Sequence, residues 1–304
     1  MKKETFIMKE TKGAEIFVYK WSPETEAVAV VQISHGMVET AERYERVARA
    51  LTEEGYIVYA NDHIGHGKTA KSIEEIGILE KEDYERMVAS LYQLTTLIKT
   101  QNPKMKVFLF GHSMGSFLAQ RYIQKYGHEL AGVILSGTAG KSAETGALKM
   151  VVNVLSAIRG KNTRAHTLSK VQFGGYNNKF NPTKTAVDWL SKDEKEVATY
   201  VNDPYCGAVV TYGFFQCLLD GAGIIHKKEE MLKIPKSLPI YLFSGSKDPV
   251  GGFTKTVRWL AQRYKALGIQ EVTSKFYEEG RHEMLNEVNR EEVTKDLLTW
   301  LKHH

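Results

Sequence analysis

Short runs rich in β-branched and aromatic residues alternate with one-faced helical patterns along most of this chain, and that alternation restricts its fold more than any other feature. Residues 27–34 are apolar at nearly every position, as in a strand covered on both faces. Tyr44, Val47, Ala48 and Leu51 then recur at helical spacing. Residues 55–60 read as a strand, and Tyr84, Met87, Val88, Leu91, Leu94 and Ile98 mark a longer helix. Strand, helix and strand follow at 106–110, 117–126 and 131–135. Alternation of this kind implies crossover connections, so an α/β fold with a mostly parallel sheet flanked by helices is predicted. Residues 4–9 and 14–21, on either side of Thr11-Lys12-Gly13, add a hairpin at the start.

The rhythm breaks at Gly137. It resumes with strands at 239–243 and 271–277, a helix near 254–267, and a last helix carrying Val293, Leu297, Trp300 and Leu301. The interval is too long for a loop. The expected organisation is therefore a core of residues 1–138 and 236–304, interrupted by a helical cap over 139–235.

Composition excludes the disordered and fibrous classes, since 42% of the 304 residues are apolar and 25% charged. The net charge of +5 is mild but uneven: residues 141–184 hold eight basic side chains and a single acidic one, Glu144. No nucleic-acid motif accompanies them, so no nucleic-acid partner is predicted; a solvated cap surface is the plain reading of the patch, and peripheral contact with an anionic membrane surface the sharper one. Cys206 and Cys217 would stand about 16 Å apart along a shared helix, too far for a disulfide. The first residues lack a signal-peptide pattern, and no apolar run is long enough to cross a membrane, so a cytoplasmic setting is expected.

The chemistry is concentrated in Gly111-His112-Ser113-Met114-Gly115, which joins a strand directly to a helix. A turn that sharp brings the residues two before and two after the serine against other backbone, so both are glycine, and Ser113 is lifted clear of the sheet. A serine needs a base, and the base needs an orienting group. Asp248 follows the strand at 239–243, and His282 follows the strand at 271–277, so both fall on the rim where Ser113 stands. Asp220 is a rival acid but follows no strand. An oxyanion site needs two backbone amides. Met114 supplies one by position, and Met37, in Ser34-His35-Gly36-Met37, is the candidate for the other. Asp62-His63-Ile64-Gly65-His66-Gly67 reads as a hydrogen-bonded turn rather than a metal site, and no metal or organic cofactor is expected.

These segments, with His35-Gly36-Met37-Val38-Glu39 and Arg43-Tyr44, resemble the monoacylglycerol lipase and lysophospholipase group of the α/β-hydrolases over about two-thirds of the chain. The resemblance implies an α/β-hydrolase fold with Ser113 as nucleophile, Asp248 as acid, His282 as base, and Met37 and Met114 as oxyanion donors. It implies a serine hydrolase that cleaves carboxylic esters through an acyl-enzyme, with a small acyl ester or lipid as substrate. Where this chain has Val38 and Ser116, family members often have glycine. Leu148, Met150, Val151, Val152, Val154, Leu155 and Ile158 make a helix apolar nearly all round, and Phe214 lies in a second apolar stretch. His35, Val38, Val151, Leu155 and Phe214 are the expected substrate-lining residues. A small-ester carboxylesterase, a proline-type aminopeptidase using Glu194 or Glu196, and a ligand-binding protein on a retired hydrolase core are the rival readings.

Overall fold

A computed structural model describes residues 1–142 and 144–304 of the chain. Eight strands form one sheet: β1 Lys2–Lys9, β2 Glu15–Ser22, β3 Ala29–Ser34, β4 Tyr56–Asn61, β5 Val107–His112, β6 Gly132–Ser136, β7 Ile240–Gly245 and β8 Val272–Tyr277. Their order is β1-β2-β4-β3-β5-β6-β7-β8. β1 and β2 form the expected hairpin, β2 meets β4 antiparallel, and every pairing among β3 to β8 is parallel. All residues of β3, β4, β5, β6 and β7 are buried, which explains their continuous apolar runs.

Successive side chains of these strands enter opposite cores. From β5, Phe108 and Phe110 pack with α1 (Glu45–Glu53) and with a helix near the end of the chain, through Val47, Leu51, Val293 and Trp300. Leu109 points the other way, into a cluster with Leu91 of α2 (Asp83–Gln101) and Leu118 of α3 (Met114–Tyr126). Among the described residues, five further α-helices lie between β6 and β7: α4 (Glu144–Arg159), α5 (His166–Asn177), α6 (Glu194–Asn202), α7 (Tyr212–Ile225) and α8 (Lys228–Met231). The last two are α9 (Lys255–Ala266), whose Val257 and Leu260 join Leu109, and α10 (Arg290–His303).

The structure departs from the sequence reading in three places. β5 runs through Gly111 and His112, and α3 starts at Met114, three residues before the expected helix. Both cysteines are free, but they do not share a helix: α7 begins at Tyr212, where the Thr211 side chain accepts the Phe214 amide at 3.2 Å. The basic patch is also smaller than its count. Lys149 pairs with Asp220, Lys161 with Glu80 and Lys184 with Glu194, while Arg164 donates to the carbonyls of Glu74, Ile76 and Val209.

The ends of β7 and β8 are set by one close approach. A Cβ on Gly245 would lie 2.0 Å from the Gly280 carbonyl oxygen, so the two loops that follow these strands can touch only with glycine there. Gly245→Ala is expected to cost about 3 kcal/mol, the upper part of the range for overpacking, and to lower the urea midpoint. An unchanged midpoint would mean that the two loops separate freely.

Candidate active site

Ser113 stands between β5 and α3 with φ +50° and ψ −120°, a conformation that side-chain-bearing residues rarely adopt. Its amide donates to the Ser136 carbonyl at 2.9 Å, and its carbonyl accepts the amides of Ser116 and Phe117. The first turn of α3 rests on the end of β3. A Cβ on Gly115 would fall 2.0 Å from the Ser34 oxygen, which is why glycine must follow Ser113 by two positions. Ser113 itself is only half-buried.

Asp248 and His282 come from the loops after β7 and β8, and the fold brings them together. Asp248 Oδ1 lies 2.9 Å from His282 Nδ1, with both side chains buried. Oδ2 accepts the Ser244 hydroxyl at 3.2 Å, and Oδ1 also accepts the Val250 amide at 2.9 Å, which fixes the carboxylate. With Nδ1 facing a carboxylate, the ring carries its proton there and leaves Nε2 as the basic nitrogen. Burial works to lower the His282 pKa, but the charge and hydrogen bond of Asp248 outweigh it, with help from Glu283 and Glu39, and raise it. The Ser113 and His282 loops meet through Ser136-Gly137: Ser136 holds the Ser113 amide, and a Cβ on Gly137 would lie 2.9 Å from His282 Cε1.

The loop after β3 is held so that the Met37 amide faces outward. His63 donates its amide to His35 Nε2 at 2.9 Å, so the His35 proton resides on Nδ1, which donates to the Gly36 carbonyl at 2.7 Å. Carbonyl and amide of a trans peptide point in opposite directions, so anchoring the Gly36 oxygen aims the Met37 N–H away from His35. Among the described residues, neither the Met37 nor the Met114 amide finds an acceptor. The loop also lies against the serine, since a Cβ on Gly36 would come within 3.3 Å of Ser113 Cβ. Val38, the departure from glycine, takes φ +47°. A β-branched residue there stores about 1–3 kcal/mol of strain. Its carbonyl is pinned by the Gly207 amide at 2.9 Å and the Tyr200 hydroxyl at 3.2 Å.

A model of the family described as serine aminopeptidase, S33, matches residues 25–289. The chain belongs to that family of α/β-hydrolases. It is 28% identical to a monoacylglycerol lipase of Mycolicibacterium smegmatis, over 96% of this chain and 94% of the relative. It is also 28% identical to the monoglyceride lipase of Rattus norvegicus, over 96% of this chain and 88% of the relative. Among solved structures, a thermostable carboxyl esterase from Bacillus coagulans in complex with glycerol superimposes with a TM-score of 0.91 at 28% identity, covering 100% of this chain and 99% of that one.

The other expected site residues of this α/β-hydrolase are less uniform. His35 and Phe214 are fully buried, and the Phe214 ring lies 5.6 Å from that of His66. Leu155 is half-buried against the same core cluster. Val151 is 48% exposed, whereas Val152 is buried, because one helical step of 100° turns Val151 to the outer side of α4. Asp62 accepts the amides of Ala41 and Lys68, His63 Nε2 faces the Ser34 hydroxyl at 2.9 Å and His66 Nδ1 faces the Ile64 carbonyl at 2.9 Å, so Asp62 and His63 are bonded to neighbouring segments of the protein. The sequence reading missed His112 and Trp189, whose rings lie 4.9 Å and 5.0 Å from that of His282. It also assigned no role to Glu39, Arg43 or Glu283, although the first two lie inside the motif that carried the resemblance.

Burial lowers several histidines of the α/β-hydrolase: His63 and His112 to about 3, His66 and His226 to about 4, and His35 well below its ordinary value. A histidine depressed in the folded state stabilises the fold above its unfolded pKa of about 6.5, and this contribution is lost as pH falls. His282, Asp62 and Glu39, all raised, oppose the trend but are outnumbered. The urea midpoint is therefore expected to fall between pH 7.5 and 5.5. An equal or higher midpoint at pH 5.5 would contradict neutral, buried imidazoles.

Proposed function

We propose that this α/β-hydrolase cleaves carboxylic esters through an acyl-enzyme on Ser113, with monoacylglycerols or lysophospholipids as the preferred substrate class. His282 Nε2 takes the Ser113 proton as Oγ attacks the acyl carbonyl, and the Asp248 carboxylate stabilises the resulting imidazolium. The amides of Met37 and Met114 receive the oxyanion. Collapse expels the alcohol, protonated by His282, and water then releases the acid by the same steps. The mechanism calls on no metal or organic cofactor. What carries the reading is the buried Asp248–His282 hydrogen bond beside a strained serine and two amides without acceptors. The similar lipases and the esterase with glycerol support a glycerol ester as substrate class, with glycerol as the leaving alcohol.

The aminopeptidase reading gains from the family description but needs a free carboxylate for the substrate amine. Glu194 is paired with Lys184, and Glu196 with Arg46 and Arg290. We take residues 139–235 as the cap and α4 as its membrane-facing part. Met150, Val154 and Ile158 are 70%, 54% and 75% exposed there, an apolar row that suits an interface rich in lipid. No described helix is long and apolar enough to cross a membrane.

Ser113→Ala is expected to lower kcat by several orders of magnitude while leaving the fold intact, and to abolish labelling by a fluorophosphonate. Near-normal turnover would remove Ser113 from the mechanism. A chain-length series of glycerol esters run beside aminoacyl-anilides identifies the substrate class: exclusive anilide cleavage would reject the ester reading. Vesicles containing anionic lipid are expected to bind the protein at low salt and to lose it with Ile158→Ser. Binding unaffected by that substitution would exclude α4 as the contact.

A further inference from the structure

The Arg43 side chain, 9% exposed, lies where the loop after β3, the His282 loop and the chain around α6 meet. One guanidinium nitrogen donates to Glu39 Oε2 at 2.5 Å and to Glu283 Oε1 at 2.8 Å, and the other to Glu283 Oε2 at 2.7 Å. Glu39 continues the chain of contacts: its Oε1 accepts the Gly36 amide at 2.5 Å and the Tyr44 hydroxyl at 2.8 Å. Glu283, next to His282, accepts the Asn286 side chain at 2.8 Å and gives its amide to the Leu190 carbonyl at 2.7 Å. The guanidinium also covers the Tyr200 ring at 4.9 Å, and the Tyr200 hydroxyl holds the Val38 carbonyl. Thus one buried cation, 240 residues from Glu283 in sequence, ties the His35–Gly36 peptide unit, the one immediately before that carrying the Met37 amide, to the residue that follows His282.

Resting on the hydrolase reading above, we propose that Arg43 is a positioning residue, which through Glu39 and Glu283 sets the Met37 amide and His282 in register across the reacting carbonyl. The alternative use of such a cluster, binding a substrate group, does not suit its dimensions. The cavity bounded by Glu39, Arg43, Tyr44, His112 and Glu283 holds about 10 Å³, the size of a single water. A planar fork is needed to meet two carboxylates at once, and lysine supplies a single point charge instead.

The cluster also acts on the charge of His282. Its ring is faced by Asp248 after β7, Glu283 on its own loop, Glu39 after β3 and His112 at the end of β5, with Arg43 behind the two glutamates. Removal of the Glu283 charge should therefore favour the neutral ring, whereas exchange of Arg43 for lysine keeps the charge and disturbs only the geometry.

The test uses Arg43→Lys and the near-isosteric Glu283→Gln in the full chain. Arg43→Lys is expected to lower kcat on a glycerol ester about 10²-fold, as displacements near 1 Å do, with KM within about threefold. Glu283→Gln is expected to move the acid limb of kcat/KM, and the His282 ring titration followed by NMR, to lower pH by about half a unit. The ring titration needs no substrate. A shifted titration in a protein that cleaves no ester would therefore uphold the positioning role while rejecting the hydrolase reading. Wild-type-like kcat in Arg43→Lys with an unmoved His282 titration in Glu283→Gln would overturn the proposal. Should Arg43→Lys not fold, the Glu283→Gln titration alone decides it.

Discussion

A helix that begins one residue after a parallel strand ends must fold back over its neighbour within two peptide units. In this α/β-hydrolase that requirement is met at Ser113, where φ +50° turns β5 into α3 and Gly115 sits on the Ser34 oxygen. Much else follows from it. Ser113 projects at the carboxyl edge of the sheet, the Met114 amide is left without an intrahelical partner, and the loop after β3 is pressed against the serine. The strain is tolerable because the surrounding sheet is parallel, buried on both faces and fixed by two separate cores.

Each of the loops around that turn is held by hydrogen bonds to its backbone, from side chains or from other backbone. His35 fixes the Gly36 carbonyl, Glu39 the Gly36 amide, and Tyr200 the Val38 carbonyl. On the other side, the Trp189 and Leu190 carbonyls accept the amides of His282 and Glu283, and Arg281 donates to the Asp188 and Ser191 carbonyls. The segment between α5 and α6 is thus bonded to the His282 loop rather than merely lying over it. By contrast α4 packs through Val152 against α7 and leaves Met150, Val154 and Ile158 uncovered. Residues of the one chain segment between β6 and β7 therefore serve two different mechanical ends.

Much of this was legible in the chain itself. Each expected strand of the sheet formed, because buried parallel strands and crossover helices impose different periods on their apolar residues. The rim positions of Ser113, Asp248 and His282 followed from the same pattern, since each lies in the turn or loop that follows a strand. The basic count over 141–184 misled, because Asp220, Glu80 and Glu194 approach it from outside that span and neutralise three of its lysines. Val151 misled for a related reason. An all-apolar helix carries no mark of which side its neighbours will cover.

The sequence by itself determined the order and kind of the elements, the glycines of the turn at Ser113, and the residues that stand at strand ends. Those depend on contacts within a few residues or on the alternation of burial along one strand. Only the tertiary structure decided that Asp248 and His282 lie 2.9 Å apart, that His35 carries its proton on Nδ1, and that Arg43 joins Glu39 to Glu283. Hydrogen bonds between residues up to 240 positions apart leave no period in the chain. They exist because the carboxyl ends of the parallel strands bring four loops to one place and exclude water from the charges they share.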